Sequence, residues 1–180
     1  MIKSILNKVA DNILLLSQII QENTEPDLLR SISPEHISRT QLSILKILYI
    51  SGPQSVRSLA EIFNLSSAAI SQNVDRLAKL KFINRQQQPE DRRAVTISIK
   101  KEGVNLLNKY DELRYQLHID VLADYSEEEH IEFDKLLEKY IGNLIRHSKV
   151  LDLVCLQCDG SFTDSCQIKS HNKHCYYLPK

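Results

Sequence analysis

Cysteine is missing from the first 154 residues of this 180-residue chain, glycine occurs only four times and tryptophan not at all. Each scarcity removes a class of function. A body without cysteine carries no disulfide framework. Four glycines are too few for the glycine-rich loops that cradle phosphates in nucleotide-dependent enzymes. Six histidines and many carboxylates are present, yet none forms a Ser/His/Asp, Cys/His or His-Glu-x-x-His arrangement, so an enzyme is not expected. Long apolar runs are missing too. The longest near the start, Ile13-Leu14-Leu15-Leu16, is far too short for a signal-peptide core or a membrane span. The expectation is a cytoplasmic protein with no membrane partner.

What is present is a single core's worth of hydrophobic residues, 42% of the chain, without internal repeats or low-complexity stretches. The formal net charge of +0 hides a strong asymmetry. Between Gln54 and Lys101 nine basic side chains stand against four acidic ones, whereas from Glu102 to Val154 the acidic residues are in excess. A positive segment beside an acidic helical one favours a nucleic-acid partner for the former.

The positive segment contains two consecutive helical patterns. In the first, Val56, Leu59, Ala60 and Phe63 recur at helical spacing and give one buried face. Asn64 falls where the turn of a helix-turn-helix needs a left-handed residue, which Asn tolerates better than most side chains. Ser66 or Ser67 then caps the second helix. There Ala69 or Ile70, Val74, Leu77 and Leu80 point inward, leaving Ser67, Ala68, Ser71, Gln72 and Arg76 outside. Small and amide side chains suit a major groove: Gln pairs with adenine through two hydrogen bonds, Ser reaches base edges or phosphate, and an Ala methyl touches the thymine methyl. An ordinary solvated helix face would look much the same, and the next stretch separates the two possibilities. Phe82–Arg85 and Ala94–Ile99 alternate as short strands around a turn rich in glutamine and arginine, residues 86–93, which makes a hairpin wing.

Pro89-Glu90-Asp91-Arg92-Arg93-Ala94, a short strand and then Lys101-Glu102-Gly103 resemble the wing signature of the MarR family of bacterial regulators. The likeness runs from Ile2 to Leu151. It implies a mainly α fold with a small antiparallel β-wing: a winged helix-turn-helix flanked by N- and C-terminal dimerisation helices. It also implies that Arg92 or Arg93 enters the minor groove while Asp91 holds the wing in shape, in keeping with the attraction of Arg to narrow, electronegative minor grooves. The candidate DNA contacts are therefore Ser66, Ser67, Ala68, Ser71, Gln72, Arg76, Arg85, Asp91, Arg92 and Arg93. Two positions depart from the family pattern, which usually has Gly where Asn64 and Lys81 stand. A left-handed Lys81 would cost on the order of 1 kcal/mol relative to glycine. The peroxide sensors of the family use a cysteine near the N-terminus, a mechanism this chain lacks the residue for.

Along the rest of the chain, Ile2, Ile5, Leu6, Val9, Ile13, Leu16 and Ile20 make an amphipathic first helix, and Leu14, Leu15 and Ile19 widen its apolar stripe beyond one seam. Part of that stripe is expected to pack on a second subunit. Glu25-Pro26 breaks the helix or marks its end, and Ser33-Pro34 opens a loop. Ser38 and Gln41 form a capping box for the next helix, ended by Gly52-Pro53. After the wing, Val104, Leu107, Tyr110, Leu113 and Leu117 form a long helix, and Ser126 with Glu129 caps a final one carrying Phe133, Leu136, Leu137, Tyr140, Ile141, Leu144 and Ile145. The run Glu127-Glu128-Glu129 fits the positive end of that helix rather than a metal site. The expected segments are 1–34 for N-terminal dimerisation, 35–103 for DNA binding, 104–151 for C-terminal dimerisation and 152–180 as a separate tail.

That tail holds all four cysteines, Cys155, Cys158, Cys166 and Cys175. Such clustering in a cytosolic chain points to metal ligation. Cys155-Leu156-Gln157-Cys158-Asp159-Gly160 has the form of a metal knuckle, while the second half lacks a matching C-x2-C pair. Four thiolates suit a zinc ion, placed slightly ahead of an iron–sulfur cluster; a Cys155–Cys158 thiol switch is a third option, and His171 or His174 could replace Cys175. The tail has too few apolar residues to fold without metal. The function expected is that of a homodimeric, sequence-specific regulator, a repressor, on a palindromic double-stranded DNA operator, responding to a small-molecule effector, metal or redox signal. The competing expectation is a cysteine-ligated metal or redox carrier that uses the helices as a dimer platform.

Overall fold

A computed structural model describes residues 2–33, 35–87 and 95–147. The wing turn from Pro89 to Ala94 and all four cysteines lie outside these residues, and so does Pro34. In chain order the elements are α1 (Ile2–Ile19), a π-helical turn (Ile20–Thr24), α2 (Glu25–Ile32), α3 (Arg39–Ser51), β1 (Gln54–Ser55), α4 (Val56–Phe63), α5 (Ser67–Lys79), β2 (Ile83–Gln87), β3 (Val95–Ile99), α6 (Lys101–Leu122) and α7 (Glu127–His147). The fold is mainly helical with one small antiparallel sheet, as the hydrophobic periodicity and the resemblance both require.

The core lies where α3 meets α4, α5, the sheet and the first half of α6. Ile44, Leu45, Leu59, Ile70, Val74, Leu77 and Ile97 are fully enclosed there. α3 is buried along nearly its whole length, which is why it carries apolar residues on more than one face. Its start is fixed by the expected capping box: Gln41 N–H donates to Ser38 Oγ at 3.2 Å, and Ser38 N–H donates to Gln41 Oε1 at 3.1 Å. The same device opens α7, with Glu129 N–H on Ser126 Oγ at 3.3 Å and Ser126 N–H on Glu129 Oε2 at 2.9 Å. Glu128 joins this cap by accepting from Ser126 Oγ, and hydrogen bonds from its own backbone and from that hydroxyl hold its carboxyl below the usual range.

The strands differ from expectation in extent. The hairpin pairs Ile83 with Ile99 and runs to Gln87 opposite Val95, two residues further into the glutamine run than the alternation suggested. A third strand, β1, lies on the other side of β3 with Gln54 opposite Ile97. Two residues are too few to show a period-two pattern.

Pro26 neither ends the helical path nor breaks it cleanly. The chain passes through the π-helical turn, closed by Glu25 N–H on the Ile20 carbonyl, and Pro26 sits in the first turn of α2, where its missing N–H is no loss. α1 buries no residue, and α7 buries only Ile145. Ile2, Leu6, Leu14, Leu136 and Leu144 are each more than half exposed. Among the described residues, no helix is long and apolar enough to cross a membrane.

Candidate nucleic-acid interface

Two left-handed residues shape the interface. Asn64 (φ 50°) ends α4, with Leu65 N–H returning to the Ala60 carbonyl at 3.0 Å. The chain is thereby turned straight into Ser66, whose hydroxyl accepts from Ala69 N–H at 3.2 Å and caps α5, settling the choice between Ser66 and Ser67. Lys81 (φ 65°) ends α5 in a Schellman motif: Lys81 N–H bonds the Ala78 carbonyl and Phe82 N–H the Leu77 carbonyl, both at 3.0 Å. The left-handed conformation usually supplied by glycine is thus made by Asn and Lys.

α5 is held by Ile70, Val74 and Leu77, all fully buried; Ile70, not Ala69, is the inward residue. At 100° per residue the opposite side carries Ala68, Gln72 and Lys79, all exposed. Gln72 makes no side-chain hydrogen bond to another described residue, so its amide is presented to whatever lies outside the helix. Ser71 and Asp75 occupy the flank facing the wing, where they line an open groove together with Val56, Arg85, Gln87 and Val95. Arg85 on β2 reaches across this groove, Nη1 to Asp75 Oδ1 at 2.6 Å. On the other flank Arg76 is engaged by backbone: one terminal nitrogen donates to the Glu35 carbonyl at 2.8 Å and the His36 carbonyl at 3.2 Å.

Thus Ser66, Ser67, Ala68, Ser71, Gln72 and Arg85 are brought to one side of the domain, around the solvent face of α5 and the base of the wing. Arg76 belongs to the edge of that surface. Asp91, Arg92 and Arg93 lie in the wing turn outside the described residues. Lys79, in line with Ala68 and Gln72, and Asp75, the partner of Arg85, were not singled out from sequence. The helical period alone could have found Lys79; the partnership of Asp75 depends on a strand eight or more residues away.

Gly103 sets how closely α6 approaches this domain. A Cβ at that position would stand 2.6 Å from the Phe82 carbonyl oxygen and 2.8 Å from Ile99 Cγ1. α6 then carries Leu106, Leu107 and Tyr110 into the core beneath α3. Near Tyr110, Lys46 is buried, with its ammonium 3.5 Å from Asp111 Oδ1 and 5.2 Å from the Tyr110 ring centre. Burial pulls the Lys46 ammonium below the usual lysine range, against the opposing attraction of Asp111. Burial likewise pushes the Tyr110 phenol up to about 12, reinforced by the Glu25 carboxylate.

The model of the MarR family matches residues 37–95, the span from the end of the α2–α3 loop to the start of β3. YdgG of Bacillus subtilis (strain 168), an uncharacterized HTH-type transcriptional regulator, is 33% identical over 129 residues, which is 69% of this chain and 84% of YdgG. The chain belongs to the MarR family. The HTH-type transcriptional regulator MhqR of the same organism is 27% identical over 106 residues, covering 59% of this chain and 72% of MhqR. Among solved structures, YusO of Bacillus subtilis superposes with a TM-score of 0.65 at 24% identity, over 75% of this chain and 96% of YusO. A mutant of MepR from S. aureus bound to an oligodeoxyribonucleotide superposes with a TM-score of 0.60 at 19% identity, over 73% of this chain and 97% of MepR. At these identities the structural likeness establishes the fold, a winged helix-turn-helix.

Family membership decides between the function classes. This MarR-family chain is a DNA-binding transcriptional regulator and not an enzyme.

Proposed function

We propose that the protein acts as a homodimeric repressor, with α5 of each subunit in the major groove of a palindromic duplex operator and each wing against the adjacent minor groove. The observation that carries this is the division of α5 into a fully buried side, Ile70, Val74 and Leu77, and a solvent side bearing Ala68, Gln72 and Lys79. A helix anchored so firmly presents its outer residues in a fixed frame. Two such frames spaced by one turn of DNA read half-sites roughly 10 bp apart from centre to centre. The exposed leucines and isoleucines of α1 and α7 supply the apolar area that a second subunit would cover. Arg92 and Arg93 act at the minor groove and on phosphates, with Asp91 bracing them.

An effector would enter the cavity of about 280 Å³ between α2, α3 and α6, lined by Leu28, Leu42, Lys46, Tyr110, Arg114 and His118. Its position between the terminal helices and the DNA-reading domain suits a ligand that changes the spacing of the two α5 helices. In the tail, Cys155, Cys158, Cys166 and Cys175 offer four soft thiolates, a donor set matching zinc first and an iron–sulfur cluster second. Metal bound there would couple the packing of the tail on the terminal helices to DNA release.

The deciding experiment is titration of the purified protein with operator and scrambled duplexes across a range of salt, with its mass in solution measured alongside. A dimer whose affinity falls steeply with salt and discriminates the operator supports the proposal; a monomer, or binding indifferent to sequence, removes it. Metal analysis and an absorption spectrum of anaerobically purified protein test the tail. If Cys155→Ser and Cys158→Ser leave operator binding identical with and without metal or oxidant, the tail has no sensing role.

A further inference from the structure

The reading helix is held from both flanks by side chains that adjoin in sequence. Asp75 ties it to the wing through Arg85, and Arg76 ties it to the loop between α2 and α3. The second tie spans about forty residues of chain and ends on backbone, not on a side chain. That loop is built to present its carbonyls. Ser33 and Ile37 are buried at its two ends, His36 N–H closes back on the Ser33 carbonyl at 3.2 Å, and His36 takes a left-handed φ of 48°. The turn aims the carbonyls of Glu35 and His36 at the same guanidinium nitrogen, whose two N–H groups diverge in the plane of the group. On either side, the loop is continuous with α2, which packs on α6, and with α3, whose first residue Arg39 pairs with Glu25 of α2.

From this geometry we infer that Arg76 is a positioning residue for DNA reading: its guanidinium fixes the pitch of α5 against the α2–α3 loop and does not itself bind a phosphate. The inference rests on the proposal that α5 reads DNA. One terminal nitrogen is engaged by both carbonyls, and turning that nitrogen to a phosphate would leave two loop carbonyls to water and the left-handed turn without its clasp. Gln72 lies one turn earlier on α5, so a small rotation of the helix about its axis displaces that amide across a base edge.

The test compares Arg76→Met, which keeps the length of the side chain but no donor, with Arg76→Lys, Gln72→Ala and the unaltered full-length protein. Operator affinity is measured across a salt series, and amide exchange is followed at His36 in the absence of DNA. Arg76→Met is expected to bind the operator roughly tenfold more weakly, with an unchanged slope of log affinity against log salt and faster exchange at His36. Arg76→Lys, which retains donors, should recover part of the loss and slow the exchange again. A phosphate contact would instead reduce the magnitude of the salt slope by about 0.9 in Arg76→Met. That result overturns the inference, as does wild-type affinity in Arg76→Met or unaltered exchange at His36. The underlying proposal fails separately, if the unaltered protein shows no salt-dependent preference for the operator or if Gln72→Ala keeps the same sequence preference.

Discussion

Asp75 on α5 and Arg85 on β2 meet across the groove between helix and wing, with 2.6 Å between Oδ1 and Nη1. Both side chains are partly solvated, and exposed ion pairs contribute only about 0–1 kcal/mol to stability. The pair matters more for direction than for stability, because it draws the Arg85 guanidinium towards protein and sets an acidic group beside the reading face. Asp75→Asn should leave the melting temperature nearly unchanged. It should tighten binding to operator and scrambled duplex alike, and steepen the salt slope by about one charge as Arg85 becomes available to phosphate. An unaltered slope would mean that Arg85 stays on the wing whatever its partner.

Gln72 provides the sharper test of sequence reading. Its amide stands on the solvent side of α5 opposite Ile70 and Val74. Gln72→Ala should relax preference at one or two base pairs, costing about 1–3 kcal/mol on the preferred operator if the contact is bidentate, while affinity for scrambled duplex holds. A competition assay with single-base-pair operator variants reads this directly, and a uniform loss across all variants would remove Gln72 as a base reader.

Local interactions were legible in the sequence and distant ones were not. Asn64 was recognisable as a left-handed position because a helix end and its following residue lie within one turn of each other, whereas Lys81 stood out only against the glycine of the family pattern. The Ser38–Gln41 and Ser126–Glu129 caps span three residues and were equally readable. Hydrophobic period placed Val74 and Leu77 inside but left Ala69 and Ile70 undecided, since neighbours 100° apart can both border a buried face. The clasp from Arg76 to Glu35 and His36, the Asp75–Arg85 pair and the pairing of Gln54 with Ile97 all join segments that only the folded topology brings together. Pro26 was misleading because proline has two meanings in a helix, a break in the interior and a good start in the first turn. Within the candidate interface, small residues at the start of α5 could be picked out by type. Lys79 could have been found by extending the same face one turn further.

Gly103 and Lys81 offer opposite predictions for glycine. A methyl group at position 103 would meet a backbone oxygen at 2.6 Å, and backbone does not yield as a side-chain tip would. Gly103→Ala should therefore destabilise by about 1–3 kcal/mol through displacement of α6. Lys81 already sits at φ 65°, where a Cβ is strained, so Lys81→Gly should stabilise by up to about 1 kcal/mol. Asn64→Gly should gain less, because Asn tolerates the left-handed region. Urea denaturation of the three variants gives the order; a stabilised Gly103→Ala would contradict the close approach of α6 to Phe82.

Tyr110 makes stability depend on alkaline pH. Its phenol, buried beneath α3, is pushed up to about 12, chiefly by burial and then by Glu25, against an ordinary value of 10. The folded protein therefore keeps the proton where the unfolded chain has released it. The sign follows: the contribution is fully present below pH 10 and is lost as pH rises from 10 towards 12, on the order of 2 to 3 kcal/mol in all. Lys46 works in the other direction. Its ammonium is held below 10.5 by burial, so the unfolded state binds more protons over the interval up to 10.5 and stability rises there. Tyr110→Phe retains Lys46 and its aromatic neighbour, so the difference between the two proteins isolates the phenol. Urea midpoints measured at pH 9, 10 and 11 should fall relative to those of Tyr110→Phe as pH increases. If the gap between the two proteins stays constant across that range, the Tyr110 hydroxyl titrates as it would in the unfolded chain.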